Sequence, residues 1–476
     1  MLSGLLEHDF SEKASIRSIA RIQQVDQLSI VDAPQGTWCL AGGVNPSPTA
    51  TGPCAFPGQY QPSGGPRGNV RDTTNSIATS QTDLTMRFNT GTIEHAVVTG
   101  VSFSHEEFDL DTGNLFREAD GTPATLPLMS IADPFNVYQG PVNYTRANWT
   151  RGSLDNQAFY AFDTLKFDER WMLNVGARYE HNEGDTQVDA VDNVAGSPTL
   201  GQVTTRSVFE NEDDLFSYRA SVLFKPVQAG TIYLSYANSK TPSKASVNGA
   251  CTAQTCDVDP ETAVNIELGT KWDVNDRLAL NAAVFRNDRE EFRVADPGNP
   301  ANPTGEQQLD GEARVDGVAF GVAGQLMRGW SIFANVTFLE SEVLQGVSDA
   351  CRANPSTECG NSAAVPDPLA GRAISGTPER AGSVWSTYDL ERWTFGYGIT
   401  YTSNYDWYSA SGANLGEIKG YTTHRAMVGL DVDDRLSFQL NVNNLFDKLY
   451  YTRVRNNGWA TPGDARSVVL TATYRF

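Results

Sequence analysis

The sequence predicts an all-β protein: a transmembrane antiparallel β-barrel of about sixteen strands, with short turns at one end and long loops at the other. Three observations predict it. Apolar and polar residues alternate with period two along many segments, short and long connections alternate strictly, and no helical period of comparable length occurs.

The alternation recurs from one segment to the next. In "LNVGARYE", Leu173, Val175, Ala177 and Tyr179 face one way and Asn174, Gly176, Arg178 and Glu180 the other. In "SYRASVLF", Tyr218, Ala220, Val222 and Phe224 alternate with Arg219 and Ser221. "TIYLSYAN", "IFANVTF" and "FGYGITYT" behave alike. In "FQLNVNN", Phe438, Leu440 and Val442 form the apolar set. The chain ends on "VVLTATYRF", with Val468, Leu470, Ala472, Tyr474 and Phe476 on one face, and Thr471, Thr473 and Arg475 on the other.

Tight connections fall near 89–95, 166–170, 225–230, 272–277, 327–329, 389–393 and 431–435. Long ones lie near 27–75, 107–155, 181–213, 240–264, 286–313, 340–378, 404–420 and 444–465. A sandwich has no reason to gather every long loop at one end, whereas a membrane barrel does. Segments of about ten residues match a tilted crossing of the hydrocarbon layer. In lipid every backbone N–H and C=O needs a partner, so such strands must pair. The apolar faces then meet lipid and the polar faces line a lumen. Tyr401, Tyr405, Trp407, Tyr408, Tyr450, Tyr451, Tyr474 and Phe476 cluster near strand ends, as an interfacial girdle would. Packing at the ends of a sandwich is the competing reading of these rings.

Composition agrees. Of 476 residues 40% are hydrophobic, mean hydropathy is −0.37, and no run is long and apolar enough for a spanning helix. A net charge of −21 argues against nucleic acid, which needs Lys and Arg for its phosphates. The acidity fits a solvated loop surface, or one that binds divalent cations. The six cysteines form three close pairs inside loops: Cys39 with Cys54, Cys251 with Cys256, and Cys351 with Cys359. Their spacing favours disulfides over zinc, since no His lies near any pair, and disulfides imply an oxidising compartment. The opening "MLSGLLEHDFSEKAS" has neither the basic start nor the apolar stretch of a signal peptide.

Longer motifs bring a resemblance. "RLSFQLNVNNLFDKLYY" (435–451) resembles the penultimate strand of TonB-dependent outer-membrane receptors, where "LNVNNLFDKxY" is a hallmark. "PGDARSVVLTATYRF" (462–476) looks like that family's final strand, and "NIELGTKWDVNDRLALNAAVFRND" (265–288) like a mid-barrel hairpin of siderophore receptors. Residues 315–343 and "GTPERAGSVWSTYDL" (376–390) match the strands that follow. The resemblance is strongest in the C-terminal half and points to receptors for ferric catecholate-type siderophores. It implies a bacterial outer-membrane location, monomeric state, and energised import through the TonB–ExbB–ExbD complex. The ferric siderophore would bind outer loops and upper lumen, with iron carried only as siderophore-bound substrate and no cofactor. Lipid and lipopolysaccharide would surround the wall, and the outer-membrane assembly machinery would read the terminal signal at Tyr474 and Phe476.

The family barrel has about 22 strands and a plug. Residues 1–476 therefore read as its barrel domain, with signal peptide, TonB box, plug and about six strands absent. Unpaired edges are expected near 15–26 and 468–476.

Catalysis finds little support, and no enzyme is expected. "HEEFD" (105–109) suggests a metal but reads better as a solvated acidic stretch where a strand enters a loop. "NYT" at 143 and "NWT" at 148 match glycosylation acceptors by chance, and "GGPRGN" (64–69) is a turn cluster rather than a phosphate loop. Binding is the better reading. A ferric catecholate is bulky, aromatic and anionic, so its site should combine stacking rings with guanidinium groups. The candidates are Trp38, Tyr60, Arg67, Arg372, Trp407, Tyr408, Arg453, Arg455 and Trp459. Each could equally serve loop structure or interface anchoring. Inward Arg178 and Arg219 are expected to pair with Glu180 or similar inward acids. Two other functions fit the pattern: a passive sixteen-stranded porin, and a surface all-β adhesin.

Overall fold

The computed structural model describes residues 1–32, 36–46, 53–62, 67–134, 137–243, 255–256, 258–275, 277–294, 296–297, 308–409, 412–454 and 460–476. Among the described residues, one antiparallel sheet of seventeen strands forms the wall, each strand pairing with its successor along the chain. Its first five strands are Leu2–Ser11, Ala14–Val31, Arg67–Thr90, Ile93–Phe116 and Thr145–Lys166. Trp171–Val191, Val203–Val227, Gly230–Thr241, Glu261–Asn275, Leu278–Val294 and Gln308–Met327 follow. Trp330–Gln345, Arg380–Leu390, Trp393–Thr402, Tyr421–Asp431, Leu436–Asn443 and Ser467–Tyr474 complete it.

Every tight turn expected from the sequence joins two of these strands, and one more, at residues 12–13, precedes them. That additional turn corrects the expected count of about sixteen. Leu2–Ser11 carries no clear strand signal, because Leu5 breaks its alternation and a two-residue turn leaves no composition signal. The expected edge near 15–26 is corrected as well: Ala14–Val31 pairs with Leu2–Ser11 on one side and Arg67–Thr90 on the other. Among the described residues, Leu2–Ser11 and Ser467–Tyr474 each pair on one side only.

The strands near the N-terminus are longer than a membrane crossing needs. Arg67–Thr90 and Ile93–Phe116 have 24 residues each, and Val203–Val227 has 25. Much of the segments expected to be long loops near 107–155 and 181–213 is therefore paired strand. "HEEFD" lies within Ile93–Phe116 rather than at a strand end. The physical reason is that alternation reports a difference between the two faces. Where both faces carry polar groups, as with buried Asn211 and Asp213 beside exposed Glu210 and Glu212, a paired strand keeps its hydrogen bonds and loses its pattern.

Within the alternating band the outward face is apolar and exposed, carrying Leu268, Val284, Phe320, Phe395, Leu440 and Leu470. The inward face is polar. There Arg178 Nε donates to Glu180 Oε1 at 2.5 Å, as the alternation predicts, and lies 5.3 Å from the Tyr160 ring, whose hydroxyl donates to Asp83. Asn156 Nδ2 bridges to Glu180 and Asn182 at 3.0 and 2.8 Å. Arg219 instead covers the Phe162 ring at 4.5 Å. Several inward rings lie across glycines of the neighbouring strand: Tyr160 opposite Gly100, Phe162 opposite Gly176, Tyr233 opposite Gly269 and Phe285 opposite Gly317. A methyl group at Gly176 would sit 1.8 Å from Phe162 Cδ1, so the ring occupies the space a side chain would need.

A single-layer wall buries little. Phe108, Leu110 and Leu154 form one small buried apolar cluster, on long strands above the alternating band. The remaining strands are short and lie in loops: Gly36–Cys39, Gln59–Pro62 and Met129–Ser130 form one small sheet, Tyr405–Tyr408 with Asn414–Ile418 a second, and Tyr451–Val454 with Ala460–Pro462 a third.

Candidate functional site

The sequence-derived candidates fall into separate groups at the long-loop end. In the first, the pairing of Gly36–Cys39 with Gln59–Pro62 sets Trp38 opposite Tyr60, ring centroids 4.3 Å apart. Cys39 and Cys54 are joined by a disulfide that closes this loop, Cα atoms 5.6 Å apart. Tyr60 and Arg67 are both buried, at 7% and 8% exposure, while Trp38 is open to solvent. Burial pushes the Tyr60 hydroxyl pKa up, the Arg67 charge opposes this, and Asp32 adds to it. Asp32 in turn accepts from Gly68 N at 2.6 Å and Asn69 Nδ2 at 2.7 Å, which fixes the start of the Arg67–Thr90 strand.

The second group surrounds a cavity of about 570 Å³ on the inward face. Tyr408 lies on the Tyr405–Tyr408 hairpin strand, its amide donating to Ser375 Oγ at 2.8 Å and its hydroxyl to Asp406 Oδ2 at 3.2 Å. The Arg372 guanidinium stands 5.5 Å from the Tyr408 ring centroid. Burial raises the Tyr408 pKa, Asp406 raises it further and Arg372 opposes both. Trp407 packs against Gly376, and among the described residues its Nε1 has no hydrogen-bond partner. The opposite wall of the cavity includes Asn287, Arg289, Phe292 and Ala313. Arg289 lies 5.2 Å from the Phe292 ring and pairs with buried Glu261, which Arg293 also approaches at 3.7 Å.

Arg289, Phe292 and Asn287 were not among the sequence candidates. The strand register shifts between Arg289 and Phe292, and Glu291 there adopts φ 55°. This bulge turns two residues of opposite parity to one cavity, where period-two reading separates them. The only signal in the sequence is the charged "NDREEFR" directly after an alternating hairpin.

The other candidates lie apart. Arg453 is exposed on Tyr451–Val454, opposite Thr461. Arg455 and Trp459 fall outside the described residues, as does Cys251; Cys256 is disulfide-bonded. Cys351 and Cys359 are bonded to each other, Cα atoms 5.8 Å apart, in the loop that also carries Arg372. Tyr474 pairs with Leu436 and packs edge-on against Phe476, 5.3 Å between centroids. His105 Nδ1 donates to Asp155 Oδ1 at 2.8 Å, and the ring lies 3.6 Å from Glu107.

Comparison with known proteins places this wall in a family. Residues 34–445 match the TonB dependent receptor-like β-barrel. The probable TonB-dependent siderophore receptor PiuA of Acinetobacter baumannii is 28% identical over 427 residues, covering 86% of this chain and 54% of that protein. The catecholate siderophore receptor Fiu of Escherichia coli K12 is 30% identical over 491 residues, covering 99% and 59%. The crystal structure of PiuA superposes with TM-score 0.78 at 24% identity, over 99% of this chain and 63% of that one. That of Fiu in its closed form gives 0.74 at 25%, over 100% and 63%. The chain thus spans somewhat over half the length of these relatives, and its wall is that of a bacterial outer-membrane protein. It belongs to the TonB-dependent receptor β-barrel family.

Proposed function

We propose that this chain forms the wall of a receptor that imports ferric siderophores, of catecholate type, with energy delivered through TonB and the ExbB–ExbD complex. The observation that carries the reading is the inward cavity at the long-loop end, lined by Arg289, Phe292 and Tyr408, with Arg372 set against the Tyr408 ring. A ferric catecholate presents flat rings and negative charge, and guanidinium groups beside aromatic faces complement both. The net charge of −21 repels anions in general, so an anionic ligand depends on individual basic groups such as Arg289 and Arg372. The similarity to PiuA, a probable siderophore receptor, and to Fiu, a catecholate siderophore receptor, supports the ligand class.

In this reading the iron arrives inside its chelate and the chain needs no cofactor. Its work is to bind, orient and admit, without covalent chemistry. Trp38 and Arg453 offer further contacts at the loop end, and the terminal Phe476 serves recognition by the assembly machinery.

The test is growth. A strain lacking its own siderophore receptors, carrying the full-length gene, is starved of iron and offered single siderophores with and without TonB. Growth on a catecholate only when TonB is present is the expected result. Growth without TonB would favour a passive channel, and no rescue by any siderophore would end the proposal.

A further inference from the structure

The outward face of five neighbouring strands, from Glu261–Asn275 to Arg380–Leu390, is not level. One row across it runs Trp272, Leu280, Val322, Ala334, Val384, each directly opposite the next. The adjacent row runs Thr270, Ala282, Phe320, Val336. The large side chains Trp272, Leu280 and Phe320 stand out from the wall, while Ala282 and Ala334 fall between them. The result is an apolar groove of about 490 Å³. The Thr270 hydroxyl in it accepts from Trp272 Nε1 at 2.5 Å, so the groove's one outward hydroxyl is engaged. Asn281 and Asn335, its polar neighbours, belong by alternation to the inward face.

The groove's place in the membrane follows from the rings around it. Trp272 and Trp330 lie on this face close to the short turns, 37% and 39% exposed. Tryptophan marks the boundary between hydrocarbon and headgroups. The groove therefore opens into the leaflet on the short-turn side, which in an outer membrane is the periplasmic, glycerophospholipid leaflet.

We propose that this groove is a binding site for one acyl chain of a periplasmic-leaflet glycerophospholipid. It is continuous with the lipid-facing surface of the wall. A peptide segment would bring backbone N–H and C=O groups into hydrocarbon with nothing to pair them. A second copy of this chain would meet the protruding Trp272, Leu280 and Phe320 before its own wall reached the alanines. A saturated chain is narrow, flexible and wholly apolar. Since bulk lipid is as apolar as the groove, no hydrophobic transfer drives the binding. The gain is close contact on three sides instead of one, many weak dispersion contacts summed.

The test is native mass spectrometry of the detergent-solubilised protein with added palmitoyl-oleoyl phosphatidylethanolamine. The wild type is expected to retain one lipid. Filling the groove with Ala282→Leu and Ala334→Leu together should weaken retention about tenfold, the equivalent of roughly ten lost atom contacts. Val384→Phe fills it independently from the rim and should act alike. Ala177→Leu, on the same outward face of Trp171–Val191 but away from the groove, should retain the lipid. Heat-shifted gel mobility checks that each variant is folded. Equal retention by all four proteins overturns the proposal, and so does a retained lipopolysaccharide in place of phospholipid.

Discussion

Asn444, in the hallmark "LNVNNLFDK", is a joint rather than a ligand-facing group. It is buried, at 6% exposure, with φ 45°. Its Nδ2 donates to the carbonyls of Lys448 and Asp464, and its Oδ1 accepts from Lys448 N, all at 2.9 Å. It thus ties together both ends of the last loop. Asn444→Ala leaves these groups unpaired and should cost about 1–3 kcal/mol. Exposed Asn443→Ala should cost little. Thermal unfolding of the two variants decides, and equal midpoints would contradict the role. Tyr408 and Arg372 carry the expected ligand contacts. If the cavity is the site, Tyr408→Ala and Arg372→Ala should each weaken ferric catecholate binding about tenfold, near the worth of one partly desolvated cation–aromatic contact. Titration with the wild type as reference measures this. Undiminished affinity in both would move the site elsewhere.

At the scale of elements, the 192–202 connection depends on a carboxylate. Asp192 accepts from Ser197 Oγ, from Thr199 Oγ1 at 2.6 Å and from Val194 N at 2.9 Å. These bonds, Ser197 first, hold its pKa below the ordinary 3.8. A lowered folded pKa contributes stability that is complete above the unfolded value and is lost as pH falls through the folded one. The Val194 amide should therefore keep its exchange protection from neutral pH down to about 4 and lose it only below that. Loss between pH 7 and 5, after correction for intrinsic rates, would contradict the assignment.

The strand pair Thr145–Lys166 and Trp171–Val191 shows a second device. Gly176 leaves room for Phe162 to lie flat across the neighbouring strand, which fixes register as well as filling space. Gly176→Ala should destabilise by about 1–3 kcal/mol through overpacking. Adding Phe162→Leu should recover part of that loss, because the two residues share one volume. Urea unfolding of the single and double variants tests the coupling, and strictly additive costs would refute it.

For the molecule as a whole, stability rests on two solvents rather than on a buried core. The wall is one sheet thick, and its outward Val284 is 57% exposed. Val284→Arg should cost about 2–4 kcal/mol if that face meets the bilayer, and Asn281→Arg on the inward face far less. Unfolding from lipid vesicles compares them; equal costs would contradict the lipid-facing assignment, and reversed costs would invert it.

Much of this was legible beforehand. The all-β class, the seven anticipated turns and the inward pairing of Arg178 with Glu180 followed from period two, because a lipid-facing wall writes its two environments into alternate residues. What escaped was whatever lacked that asymmetry. Leu2–Ser11 has an irregular pattern, and the outer lengths of Ile93–Phe116 and Val203–Val227 carry polar residues on both faces, buried Asn114, Asn211 and Asp213 among them. The site was harder to read for another reason. Arg372 and Tyr408 could be nominated by residue type, but the meeting of Tyr408 with Arg289 and Phe292 depends on a bulge at Glu291 and on loops folding over the lumen. Sequence alone determined which face of each strand is oily, since that choice is local and repeats every second residue. Only the tertiary structure decided which distant loops share a cavity, since that depends on strand register and loop closure summed over the whole wall.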